Sequence, residues 1–112
     1  MAIVDWPGQS GRTYRYHTLA RVTADGILSV AGNYAFVKQL ANGNYLPLYF
    51  GQAEDLQSRL PCHERWAEAV RLGATEVQAH STQGGELVRC AEERDLIQRW
   101  DPPLNTQHRR VV

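Results

Sequence analysis

Lysine is almost missing from this 112-residue chain: Lys38 stands alone, and arginine supplies the rest of the 12 cationic side chains. These balance the 12 Asp and Glu residues, so there is no net charge of either sign. That excludes strong non-specific attraction to a polyanion, which depends on surplus cations displacing counterions. Cysteine is scarce too. Cys62 and Cys90 form no CxxC pair and no Cys/His cluster, so a disulfide scaffold and a zinc finger are both excluded, and the two read as half-buried thiols in a reducing compartment. The four histidines, His17, His63, His80 and His108, are too scattered to suggest a preformed metal cage. Apolar runs such as Leu46-Pro47-Leu48 stop after a few residues, far short of the roughly 18 that cross a bilayer. The start, Met1 to Pro7, has neither the cationic opening nor the apolar stretch of a signal peptide. The expectation is a cytoplasmic protein with no membrane partner.

With 43% apolar and 21% charged residues, disordered and fibrous classes are excluded. A chain of this length buries roughly 65% of the surface it exposes when unfolded, enough for one domain with its own core. The preference for arginine over lysine fits bidentate contact with phosphate or carboxylate; a GC-rich coding bias produces it equally well.

The first dozen residues, with Pro7-Gly8-Gln9-Ser10-Gly11, carry loop formers and read as a tail or irregular cap. Thr13 to Thr18 is rich in β-formers, and Ile27-Leu28-Ser29-Val30 is a second short extended candidate after the Asp25-Gly26 turn. A hairpin is expected from Tyr34 to Val37 and Tyr45 to Phe50 across Asn42-Gly43, a dipeptide that accepts positive φ at both turn positions. Pro47 then needs an edge, a bulge or a long turn. Asp55 reads as the N-cap of a helix carrying Leu56, Arg59, Leu60 and His63, which Pro61 interrupts. A second helix spans Glu64 to Leu72 with Gly73 at C′, Thr75 to His80 alternates as a third sheet strand, and Glu86 to Trp100 is a helix closed by Asp101-Pro102-Pro103. The order β-β-α-β-α implies an α/β (α+β) fold: a small three-stranded antiparallel sheet flanked by helices. Residues 1–30 form an N-terminal extension packed on the domain, 31–106 the domain, and 107–112 a C-terminal tail.

On the last helix Glu93 falls on the arc of Trp100, Ile97, Cys90 and Leu96, the core side. A carboxylate there is costly unless it meets an arginine or holds a cation. Glu92, between Val88 and Leu96, competes for the same role. Arg59 and His63 lie one helical turn apart, and alone would be a solvated face; Tyr34 and Tyr49 alone would be ordinary sheet aromatics.

Taken in order, these pieces resemble the GIY-YIG endonuclease superfamily. Gly32-Asn33-Tyr34 and Tyr49-Phe50-Gly51 stand as the two signatures. The second continues through Gln52-Ala53-Glu54-Asp55-Leu56-Gln57-Ser58-Arg59-Leu60, similar to the YxGxAxDLxxRL run in the nuclease domain of the bacterial excision-repair incision enzyme. Glu93, Leu96-Ile97, Pro102 and Asn105 resemble the family's ExxLIxxxxPxxN ending. The resemblance covers Gly32 to Asn105 and implies the GIY-YIG fold with divalent-metal-dependent hydrolysis of DNA phosphodiesters. It implies that Glu93 holds one Mg²⁺ (or Mn²⁺), that Arg59 clamps the scissile phosphate, and that Tyr34 and Tyr49 line the site, one of them orienting or deprotonating the water. His63 would assist proton transfer, with Gly51, Gln52 and Asn105 on the substrate side. Asn33 departs from the usual apolar middle residue, Gln52 stands where the repair enzyme has a lysine, and Pro61 would kink the Arg59–His63 helix. A catalytically weak or inactive domain that binds nucleic acid or protein is the alternative, and a metal-free domain with Glu93 paired to Arg59 is a third.

DNA is the implied partner, with target choice supplied by the N-terminal extension, a homodimer or a protein partner. Arg12, Arg15, His17 and Arg21 make that extension the most cationic stretch, interleaved with Tyr14 and Tyr16 as stacking groups. An exposed polar strand is the other reading of the same residues.

Overall fold

The computed structural model describes residues 3–20 and 22–106. Five strands, β1 (Ile3–Pro7), β2 (Thr13–Thr18), β3 (Gly32–Gln39), β4 (Tyr45–Ala53) and β5 (Glu76–Ser81), form one antiparallel sheet in the order β1-β2-β5-β3-β4. Three helices, α1 (Leu56–Arg59), α2 (Trp66–Arg71) and α3 (Glu86–Trp100), complete an α+β fold.

The expected three strands are β3, β4 and β5; the sheet is larger because the opening residues are not a tail. Ile3 to Pro7 alternates along β1, with Trp6 buried and its indole N–H donating to Gln78 at 2.9 Å. Asp5 faces Arg15 across the β1–β2 ladder and takes its guanidinium at 2.9 Å. Ile27 to Val30 is not a strand. A 3-10 turn over Ala24–Gly26 precedes it, Leu28 is exposed, and the Val30 carbonyl instead accepts the Leu56 N–H at the start of α1. Apolar residues that do not return to one face at period two have no sheet to join.

β3 is the centre of the sheet and is buried on both faces, as a near-continuous apolar strand should be. Tyr34 and Phe36 point to one core with Leu56, Leu60, Ala69 and Leu104; Ala35 and Val37 point to another, where Trp6, Tyr16 and Phe50 meet Leu96 and Ile97 of α3. β4 is an edge strand, and its register slips between Phe36 and Val37, so that Pro47 faces Val37 beside a bulge. In the hairpin loop only Gly43 takes positive φ, at 88°, and the Gly43 N–H bonds the Leu40 carbonyl at 2.9 Å. The loop is thus a three-residue turn ending in a left-handed glycine, with Asn42 on the ordinary side of φ.

Asp55 caps α1 by accepting the Gln57 N–H at 3.0 Å. α1 lasts four residues before Leu60–Cys62 tightens into a 3-10 turn with Pro61 inside it, and His63 is extended. The second helix therefore begins at Trp66 rather than Glu64, and Cys62 lies exposed on the turn. Among the described residues no helix is long and apolar enough to cross a membrane. The expected tail at 107–112, together with Arg21 and His108, lies outside the described residues.

Candidate active site

β3 and β4 bring Tyr34 and Gly51 directly opposite each other. The tyrosine ring crosses over the glycine so closely that a Cβ on Gly51 would overlap the end of the ring. The ring then reaches the bend after α1. There Tyr34 Oη lies 2.6 Å from His63 Nε2. Because the chain kinks at Pro61, Arg59 and His63 do not share a helix; the kink turns His63 inward, edge-on to Tyr34, Phe36 and Tyr49 at centroid distances of 5.4, 4.9 and 5.2 Å.

The protonation of His63 follows from its two contacts. Its Nδ1 accepts the Arg65 backbone N–H at 3.0 Å. Burial, with the Arg59 charge adding to it, lowers its pKa to about 4, so the ring is neutral at pH 7. A neutral imidazole that accepts at Nδ1 carries its proton on Nε2, and Tyr34 Oη is the acceptor. The Arg59 charge also acts on the Tyr34 hydroxyl. Burial still holds the Tyr34 phenol well above its ordinary value, with Tyr49 adding to the rise and Arg59 opposing it. Burial raises Tyr49 as well, followed by the Glu93 charge. Both phenols are therefore protonated at neutral pH.

His63 makes a pH prediction. Its folded pKa lies below the unfolded value of 6.5, so the unfolded chain binds the extra proton, and stability present above pH 6.5 is lost as pH falls toward about 4. The slope is at most about 1.4 kcal/mol per pH unit. Urea unfolding at pH 7, 6 and 5 should show this loss, and His63→Gln should flatten it over the same interval, where carboxylates titrate little. An equal slope in the variant assigns the loss elsewhere.

Arg59 makes its ion pair with Glu64, through contacts of 2.6 and 2.8 Å, and not with Glu93. The Arg59 fork in turn holds the Glu64 carboxyl well below the usual carboxylate range. Glu64 is largely exposed, so this pair exchanges with solvent and yields to a better anion.

α3 forms the facing wall. Glu93 is 7% exposed, and its charge acts on Tyr34, Tyr49 and Tyr16. Glu92, which competes with it on sequence grounds, is equally buried but accepts from Tyr16 Oη at 2.8 Å and pairs with His80 Nε2 at 2.6 Å. Tyr16 is thus a core residue with no free ring face, and the Tyr14 hydroxyl donates to Asp95 at 2.8 Å. Asn33, the departure in the first motif, is fully buried. Its amide donates to the Arg89 carbonyl at 3.0 Å and accepts from Thr82 at 2.7 Å, fastening α3 to β3.

Asn105 solves an edge-strand problem. Its side-chain amide accepts from Phe50 N–H and donates to Phe50 C=O, both at 2.8 Å, standing in for the missing neighbour of β4 between Tyr49 and Gly51. A cleft of about 630 Å³ is lined by Gln52, Asp55, Ser58, Arg59, Glu86 and Arg89 among others; of the residues expected in the site, Gln52 and Arg59 reach it, whereas Tyr34, Tyr49, His63 and Glu93 do not line it. Arg89 is the cleft residue that sequence reasoning missed, although it sits one helical turn before Glu93 on the same face.

Comparison with protein-family models, curated proteins and solved structures finds no match. Among the described residues no three or more His, Cys, Asp or Glu side chains gather as a metal cage. A single buried carboxylate suits a hard cation that keeps most of its waters, as Mg²⁺ does, and not one that needs full protein ligation.

Proposed function

We propose that this chain is a GIY-YIG-type endonuclease domain that hydrolyses DNA phosphodiesters with one Mg²⁺ or Mn²⁺ on Glu93. The observation that carries the reading is the contact of the Tyr34 hydroxyl with His63 Nε2, in the field of the Arg59 and Glu93 charges.

A divalent ion bound there supplies Lewis acidity and offsets charge developing on the phosphate. The rest is the work of the chain's own side chains. Arg59 exchanges Glu64 for the non-bridging oxygens of the scissile phosphate and meets them with its fork, which a lysine cannot do. Tyr34 and Tyr49, protonated in the resting site, orient the attacking water. His63 Nε2–H donates to Tyr34 Oη and the Arg59 charge acts on it, so they are the groups that stabilise its phenolate as a proton leaves. Asn105 keeps β4, and with it Tyr49, at a fixed distance from Tyr34.

A second reading draws on Arg59, whose fork is occupied by Glu64, and on the two raised phenols: a weak or inactive domain that recognises nucleic acid or protein. Incubation with labelled nicked, flapped and branched DNA separates the two. Cleavage in Mg²⁺ or Mn²⁺ that falls at least about a hundredfold on chelation supports the nuclease, given the several kcal/mol a metal contributes to such chemistry. No cleavage of any substrate with either metal overturns it, and binding without cleavage selects the second reading.

A further inference from the structure

We infer that Arg89 forms a second phosphate site in the same cleft, holding a phosphate of the strand next to the one that Arg59 clamps. The inference rests on the nucleic-acid reading above. A guanidinium whose stem is packed away while its Nη groups still meet solvent presents a fixed positive charge to the cleft. Arg89 is 6% exposed, yet among the described residues it enters no ion pair. Its one side-chain bond is from Nε to Gln52 Oε1 at 2.9 Å, and its backbone carbonyl is held by Asn33. Those two contacts fix the fork at the wall of the cleft, and neither Nη makes a hydrogen bond among the described residues.

The ligand class follows from the donors. A planar fork held by its Nε presents its remaining N–H groups side by side, the arrangement that matches two oxygens of a phosphate. Arg89 and Glu93 are four residues apart on α3, about 6 Å along the axis, a step comparable to that between consecutive phosphates of an extended strand. Gly85, at the N-cap, makes no side-chain cap bond, so the first-turn N–H groups of this 15-residue helix add a fixed partial positive charge near the same wall. Glu54 and Glu86 stand exposed at the rim, where they oppose a polyanion weakly through water. Gln52 thereby acquires a role: it carries no charge itself but orients one supplied from α3.

The test is anisotropy of a fluorescein-labelled nicked duplex in EDTA across a salt series. Arg89→Gln should weaken binding about tenfold and reduce the slope of log affinity against log salt by about one. Arg89→Lys should restore the slope without the full affinity, and Gln52→Leu should weaken binding with the slope unchanged. Glu86→Gln should tighten binding about threefold. If Arg89→Gln melts like the wild type and binds with unaltered affinity and slope, the proposal is overturned. Should that variant not fold, Gln52→Leu and Glu86→Gln decide, and no change in either overturns it. Arg89-dependent binding in a protein that cuts nothing keeps this site and removes the nuclease reading. Cleavage by the wild type with KM unchanged in Arg89→Gln does the reverse.

Discussion

Glu93→Gln lowers phosphodiester cleavage by about a thousandfold or more while leaving the fold in place. The position is 7% exposed and sits on α3 among Leu96, Ile97 and the tyrosines of the sheet. Glutamine keeps the volume and most of the hydrogen-bonding reach, so the packing of α3 is undisturbed. What is lost is the negative charge: a neutral amide oxygen is a poor sole ligand for a hard cation. Loss of about 4 kcal/mol of transition-state stabilisation corresponds to about a thousandfold in rate. Single-turnover cleavage with saturating Mg²⁺, read beside thermal melts, separates chemistry from stability. Activity within tenfold of the wild type in a folded variant would show that no ion is held at Glu93. Glu92→Gln is the informative comparison. That carboxylate joins Tyr16 to His80 in the core below the sheet, so its loss should lower the melting temperature more than the rate.

How much of this was legible depends on the range of the interactions. Glu86 to Trp100 was readable as a helix because its signals are local: a Gly-Gly break before it and Asp101-Pro102 after it. Asp55 as N-cap and Asn42-Gly43 as a hairpin loop are equally short-range, and only the detail of φ at Asn42 differed. β1 was missed although Val4 and Trp6 alternate inward, since its partner β2 lies beyond a Pro-Gly loop and its stability comes from Phe50 and Trp100, both edge-on to Trp6. The bend at Pro61 was legible, but its consequence was not. Whether it removes His63 from the site or delivers it depends on Tyr34, 29 positions earlier, which receives the Nε2 proton. Arg89 stayed hidden for a related reason. An arginine on a helix reads as solvated until Gln52, from β4, is seen to hold it.

Gly51→Ala is expected to abolish the geometry of the site at moderate cost to the fold. The strand register places Gly51 opposite Tyr34, and a methyl group at Gly51 would occupy the space of the ring's Cζ and hydroxyl. Tyr34 cannot step aside easily, being 1% exposed and packed against Phe36, Tyr49 and His63. Overfilling such a core costs about 1–3 kcal/mol. Relief comes by moving the ring off His63, and a displacement of about 1 Å among reacting groups costs about a hundredfold in rate. Gly43→Ala is the matched control: at φ 88° it also strains the backbone, but its Cβ would meet open space in the hairpin loop, remote from the site. It should lose about 1 kcal/mol and little activity. Melting temperatures and initial cleavage rates for the two variants distinguish these cases. Equal losses of rate in both would mean that Gly51 matters only as a strand glycine, and that the position of the Tyr34 hydroxyl does not control the chemistry.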